Sequence, residues 1–112
     1  MVMSRLAPAE TDVFVIGGGP AGLAAALAAR QVGLNVILAD RAQPPIEKAC
    51  GEGLMPDALD ALRRIGVNLG SENGVCFRGI RFLDEKLEAE AMFSKHSFGL
   101  GVRRTTLHRV LV

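Results

Sequence analysis

An α/β fold built around a parallel strand, helix, strand unit is what this sequence predicts, and three observations carry that prediction. "VFVI" at residues 13–16 is a continuous apolar, β-branched-rich run, the pattern of a strand covered on both faces. "GGGPAG" follows it directly and opens an alanine-rich stretch that runs unbroken to Gly33. "NVILAD" then supplies a second apolar run, and elements in this order and spacing form a βαβ unit with a right-handed crossover.

The first strand is expected at residues 12–16. The first helix is expected at residues 20–32, with Pro20 near its first turn, where a missing N–H costs nothing, and Gly33 as its C-terminal stop. Its body, "AGLAAALAAR", is apolar almost all round, so burial on more than one side is expected. After Asp40 the stretch "RAQPPIEKACGEGLM" is rich in Pro and Gly and lacks periodicity, which reads as a long loop of the kind that usually carries function. Residues 56–65 form an amphipathic helix with Ala58, Leu59, Leu62 and Ile65 on one face, Asp57 near its start, Arg63 and Arg64 solvated near its end, and Gly66 as its stop. "SENG" is a turn. "GIRFL" and "LEAEAMF" around "DEK" form an antiparallel hairpin, although residues 87–93 also tolerate a helical reading. Thr106 is placed to cap a final helix in which Leu107, Val110 and Leu111 recur at helical spacing.

Composition narrows the function classes. A chain of 112 residues is one domain at most. Thirteen basic against twelve acidic residues, a net charge of +1, give no electrostatic footprint for nucleic acid or an anionic membrane, so the expected partner is a small molecule. Cys50 and Cys76 stand without CxxC spacing or nearby histidines, which argues against a zinc site and a disulfide scaffold and for a reducing cytoplasm. The opening "MVMSRLAPAETD" lacks the apolar core of a secretory signal, and the apolar stretch over residues 13–38 is interrupted by Gly, Pro, Arg30 and Gln31, so the chain is expected to be soluble. His96 and His108 have neither serine nor acid at a telling spacing; no triad, metal ligand or catalytic residue is assigned. Cys76 is read as core.

The glycine cluster carries the chemistry. Gly17, Gly19 and Gly22 satisfy GxGxxG directly after a strand and directly before a helix. In that context the first glycine makes the tight turn, the second lets backbone approach a pyrophosphate, and the third lets helix and strand pack closely. The free N–H groups and the positive end of the helix then face the phosphates. Asp40 ends the second strand eighteen residues past Gly22, near the distance of about 20 expected of an acid on ribose hydroxyls. A carboxylate there disfavours a 2′-phosphate, so NADP fits this turn worst, while FAD and NAD remain equal on these grounds.

A resemblance separates them. "DVFVIGGGPAGLAAALAARQVGLNVILADR", with Pro20 and Ala21 inside the turn, Ala26 four residues past Gly22 and Arg41 after the acid, resembles the amino-terminal FAD motif of the glutathione-reductase-like flavoproteins. "KACGEGLMPDALDALRRIGV", "GIRFLDE" and "GLGVRRTTLHRVLV" are similar in order and spacing to the group containing aromatic-ring hydroxylases, geranylgeranyl reductases and flavin-dependent halogenases. The resemblance implies that Gly17, Gly18, Gly19, Pro20, Ala21 and Gly22 bind the FAD pyrophosphate and Asp40 the adenosine ribose, with Arg41 beside the adenine end. It further implies that Arg104 lies near the phosphate and ribityl chain and that Lys48, Cys50 and Gly51 run beside the isoalloxazine. Arg103 is the rival for the role of Arg104. Glu52 is read either as a flavin-contacting acid or as solvated loop charge.

The implied fold is a Rossmann-like βαβ FAD-binding half-domain, an incomplete doubly wound sheet with a β-hairpin, and residues 1–112 are expected to be the amino-terminal portion of a single FAD-binding domain. The implied function is an FAD-dependent oxidoreductase of the monooxygenase type, in which NAD(P)H reduces the flavin and an organic substrate is oxygenated. Alkene reduction as in geranylgeranyl reductases and halogenation are the neighbouring readings. A non-catalytic nucleotide-binding fragment that self-associates through its unfinished sheet is the reading from a different class.

Overall fold

The computed structural model describes residues 10–112, so most of the opening stretch considered for a secretory signal lies outside the described residues. Strand β1 (Val13–Ile16) and strand β2 (Val36–Ala39) pair in parallel, with Val13 opposite Val36 and Ile16 opposite Ala39. Helix α1 (Pro20–Gln31) crosses between them and packs on both strands, which is the expected βαβ unit. Val32 is the C-cap, and Gly33 adopts a left-handed φ of 85°. The N–H of Gly33 donates to Arg30 and that of Leu34 to Ala29, a Schellman ending that satisfies the last carbonyls of the helix.

The sheet departs from the expectation in its cover. Val13 and Val15 turn inward, but Phe14 and Ile16 are 56% and 84% exposed, so β1 is covered on one face rather than two. α1 likewise buries one residue fully, Leu23, while Ala21, Ala25 and Ala28 are not fully buried. The near-uniform apolarity of helix and strand therefore exceeds what this chain alone covers.

Strand β3 (Gly53–Leu54) leads into helix α2 (Pro56–Arg64), with Ile65 as its C-cap. The N–H of Gly66 donates to Arg63 and that of Val67 to Leu62, the same Schellman arrangement as in α1, and Leu62 and Val67 both join the core. Arg63 and Arg64 are exposed, as expected, and Arg63 pairs with Asp60. Strand β4 (Val75–Phe77) follows, then strands β5 (Gly79–Leu83) and β6 (Glu88–Met92), which form the expected antiparallel hairpin rather than a helix over residues 87–93. Arg81 faces Glu90 across it and also reaches Glu88. Strand β7 (Gly99–Gly101) and helix α3 (Arg104–Leu111) complete the described chain.

A second, antiparallel sheet of order β3-β7-β4 was not expected. Its centre, β7, is the short run Gly99, Leu100 and Gly101, with Leu100 fully buried. Gly99 lies opposite Phe77, whose ring occupies the space a side chain at Gly99 would need. Two further expectations are corrected. α3 begins at Arg104 with Arg103 as its N-cap, so Thr106 lies inside the helix and does not cap it. Cys76, in the short outer strand β4, is exposed and not core.

The core is formed by Leu23 of α1, Leu59 of α2, Val67 and Leu69 beyond it, Leu100 and Val102 of β7 and its exit, and Leu107 and Leu111 of α3. α3 thus packs against α1, directly behind the glycine turn. Among the described residues no helix is long and apolar enough to cross a membrane.

Candidate functional site

The glycine turn is shaped by three restraints. The N–H of Gly17 donates to the Ala39 carbonyl over 2.8 Å, joining the end of β1 to β2, and Gly17 then takes a φ of 112° that a side chain would strain. At Gly22 the space for a Cβ is filled by the carbonyl oxygen of Gly17, with Val15 Cγ1 3.3 Å away, so helix and strand approach as closely as glycine allows. Gly19 is the N-cap of α1, followed by Pro20 at the first helical position. Leu23 donates to the Gly19 carbonyl, so the N–H groups of Ala21 and Gly22 precede the first bond of the helix ladder and are available to an anion.

Asp40 leaves the end of β2 and reaches back over the turn. Its Oδ2 accepts from the Gly18 N–H at 2.6 Å and its Oδ1 from the Ala42 N–H at 2.7 Å. These two bonds, from Ala42 first and Gly18 second, hold the carboxyl below its ordinary range, and the neighbouring charge of Arg41 acts in the same direction. Each carboxylate oxygen keeps a second lone pair, so acceptor capacity remains for ribose hydroxyls. Arg41 is exposed beside it.

Arg104 is brought to the turn from the far end of the chain. A Cβ built on Gly19 would lie 3.5 Å from Arg104 Nη2, and Arg104 Nε is buried without a hydrogen-bond partner. A buried guanidinium N–H with no acceptor, at the mouth of a glycine turn with free N–H groups, is what a diphosphate would complete. The residues present therefore fit the FAD pyrophosphate. Arg103, the rival, is exposed.

The loop before β3 meets Arg104 from the other side. Glu47, Lys48, Cys50, Glu52, Arg103 and Arg104 line a polar cleft of about 480 Å³. Cys50 is a free, exposed thiol whose Sγ accepts from the Glu52 N–H at 3.4 Å. Gly51 has open space where a side chain would stand. Lys48 and Cys50 are thus gathered with Arg104 at one cleft, with Gly51 next to Cys50 in the chain, while Asp40 borders a separate cavity beside Gly18. Glu52 is not simple solvated charge: its Oε1 accepts from the Arg104 N–H and its carbonyl from the Val102 N–H.

Sequence reasoning passed over one residue at this site. His108 is 1% exposed, and its Nε2 lies 2.7 Å from the Gly18 carbonyl oxygen. The signal was its position, one helical turn after Arg104 on the same face of α3.

A parallel βαβ unit with this turn, an acid at the end of its second strand and an arginine at its mouth defines a dinucleotide-binding domain. The FAD binding domain family model matches residues 10–79, and the chain belongs to that family. A menaquinone reductase from Mycolicibacterium smegmatis is 39% identical over 89 residues, covering 80% of this chain and 22% of that protein. A 6-methylpretetramide 4-monooxygenase from Streptomyces rimosus is 40% identical over 68 residues, covering 61% of this chain and 16% of that protein. The solved structure of a myxobacterial chondrochloren halogenase, described as a variant of FAD-dependent halogenases, superposes with a TM-score of 0.77 at 26% identity, covering 90% of this chain and 25% of its own. The chain spans about a fifth of the length of these two curated relatives. FAD is the cofactor of this domain, and flavin-dependent oxidoreductases are the enzymes to which it is similar.

Proposed function

We propose that this chain is the amino-terminal, FAD-binding portion of an NAD(P)H-dependent flavoenzyme that acts on a small organic substrate. The observation that carries the reading is the unpartnered, buried Nε of Arg104 beside Gly19. In this reading the N–H groups of Gly19, Ala21 and Gly22 and the Arg104 guanidinium hold the pyrophosphate from two sides, while those of Gly17 and Gly18 are engaged by Ala39 and Asp40 and shape the turn. Asp40 accepts from the adenosine ribose, Arg41 lies at the adenine end, and Lys48, Cys50 and Gly51 border the flavin. FAD bound there supplies two-electron redox chemistry, while the chain supplies position and charge.

Two reactions follow from the relatives. The likeness to menaquinone reductase extends over 80% of this chain and that to the monooxygenase over 61%, so reduction of a menaquinone-like substrate is the first reaction to test and oxygenation the second. The exposed thiols of Cys50 and Cys76 fit a reducing cytoplasm. The uncovered Phe14 and Ile16 face of β1 supports self-association of this chain on its own, and a sedimentation series at rising concentration tests it.

An absorbance spectrum of the chain after incubation with FAD and desalting tests the cofactor reading. Retained flavin bands support it, and a colourless chain counts against FAD retention by these residues alone. Oxidation of NADH or NADPH by the flavin-loaded protein, stimulated by menadione rather than by phenols, supports the reductase reading; the reverse preference supports oxygenation.

A further inference from the structure

His108 is the single polar or charged residue that is fully buried among the described residues, and the glycine turn is what it touches. A carbonyl oxygen can only accept, so Nε2 carries a proton and donates it to the Gly18 oxygen at 2.7 Å. The other ring nitrogen, Nδ1, is buried with no partner. A proton on Nδ1 would be a donor with nothing to receive it, so the surroundings select the tautomer protonated on Nε2.

The peptide that carries the Gly18 carbonyl also carries the Gly19 N–H, and in a planar trans peptide the two point in opposite directions. Holding the oxygen against α3 therefore holds the Gly19 N–H on the side away from the histidine. The preceding peptide is fixed as well, because the Gly18 N–H donates to Asp40 Oδ2 at 2.6 Å. His108 and Asp40 both border a cavity of about 270 Å³ under the turn, together with Leu23, Leu38 and Ile46. Arg104 stands one helical turn before His108, so one face of α3 presents an N–H donor to Gly18 and a guanidinium to Gly19.

We propose that His108 is a positioning residue for FAD: its Nε2–H clamps the Gly18 carbonyl and so fixes the peptide whose N–H, on Gly19, meets the pyrophosphate. The proposal rests on the FAD-binding reading of the turn. It assigns His108 no contact with the cofactor and no part in electron transfer.

Three measurements on the 112-residue chain test it. Imidazole nitrogen NMR of the ¹⁵N-labelled wild type is expected to show His108 protonated on Nε2; a ring protonated on Nδ1 alone overturns the clamp without any variant being made. His108→Leu is expected to weaken FAD binding roughly tenfold, the upper range for one hydrogen bond, and His108→Gln, whose amide can donate near the same place, to recover most of it. The Gly19 amide resonance, read without FAD, should move in His108→Leu and return in His108→Gln. A wild type that binds FAD while His108→Leu binds it equally overturns the proposal and leaves the cofactor reading intact. Equal loss in both variants assigns His108 to packing and also overturns it. A wild type that takes up no FAD counts against FAD retention by these residues alone, and the ring-nitrogen and Gly19 amide resonances, both read without FAD, then decide the clamp: an unmoved Gly19 resonance in His108→Leu overturns it.

Discussion

The backbone N–H of Arg104 donates to Glu52 Oε1 across 3.1 Å, joining residues 52 positions apart. Arg104 is the first residue of α3, and that helix has no side-chain cap of its own. Glu52 therefore serves as its cap from a distant loop, with a negative charge placed where the helix end favours one. Glu52 also holds a left-handed φ of 54°, which a residue with a side chain adopts at a cost. The same contact ties the loop carrying Cys50 to the arginine beside the glycine turn.

Removing the Glu52 carboxylate is expected to cost about 1 kcal/mol of stability, the usual size of a lost helix cap. Glu52→Gln, which keeps an acceptor and loses the charge, should cost less than Glu52→Ala. Glu52→Gly loses the cap but relieves the left-handed backbone, so it should be more stable than Glu52→Ala. Urea unfolding of the three variants gives the order, and an alanine variant as stable as wild type would remove the cap.

Gly22 tests the close approach of α1 to β1. A Cβ there meets the Gly17 carbonyl oxygen and Val15 Cγ1, neither of which can yield without moving the turn. Gly22→Ala is expected to destabilise the chain by about 1–3 kcal/mol, as overpacking does, and to weaken FAD retention by more than that loss of folding explains. Gly51→Ala, with open space around its Cβ, is the matched control and should leave stability nearly unchanged. Thermal unfolding and flavin fluorescence titration read the two effects separately.

Asp40 gives the pH dependence. Hydrogen bonds from Ala42 and then Gly18 lower its folded pKa from the ordinary value of 3.8. A depressed carboxyl contributes stability that is full above the unfolded value and is lost as pH falls through the folded one. The turn is therefore expected to keep its stability from neutrality down to about pH 4 and to lose it progressively below. In Asp40→Asn that part of the acid limb should be missing, and stability at neutral pH should be lower. Melting temperatures of both proteins across the acid range up to neutrality would show it, and superimposable acid limbs would contradict it.

The βαβ unit, both long helices and the hairpin were legible because each is written in local chemistry: an apolar run, a proline at a helix start, a glycine at a helix stop, alternation about a turn. β7 was not legible, since Gly99, Leu100 and Gly101 have weak strand preference and are drawn into a sheet by Phe77 on one side and the core on the other. β3, two residues inside a Pro- and Gly-rich loop, becomes a strand because β7 lies beside it. Cys76 read as core because cysteine usually is buried, but the outer position of β4 leaves it exposed. The glycine turn and Asp40 announced themselves by spacing. Glu52 and His108 did not, because their partners, Arg104 and Gly18, are far along the chain and meet them only after folding.

Arg103 and Arg104 are adjacent in sequence and line the same cleft, but the structure gives them different surroundings. Arg104 has its Nη2 beside Gly19 and its Nε buried without an acceptor, whereas Arg103 is the exposed N-cap of α3. A diphosphate in the turn would supply the acceptor that Nε lacks, and a charge-assisted hydrogen bond is worth about 1.5–3 kcal/mol. Arg104→Met is therefore expected to weaken FAD binding roughly 10- to 100-fold. It should not weaken riboflavin, which has no phosphate. Arg104→Lys keeps the charge and loses the fork of donors, so it should recover part of the affinity only. Arg103→Met should stay within about twofold of wild type, as expected of an exposed charge. Titration of each variant with FAD, ADP and riboflavin separates phosphate recognition from general loss of the site; equal weakening by the Arg103 and Arg104 substitutions would return the assignment to an unresolved pair of cations.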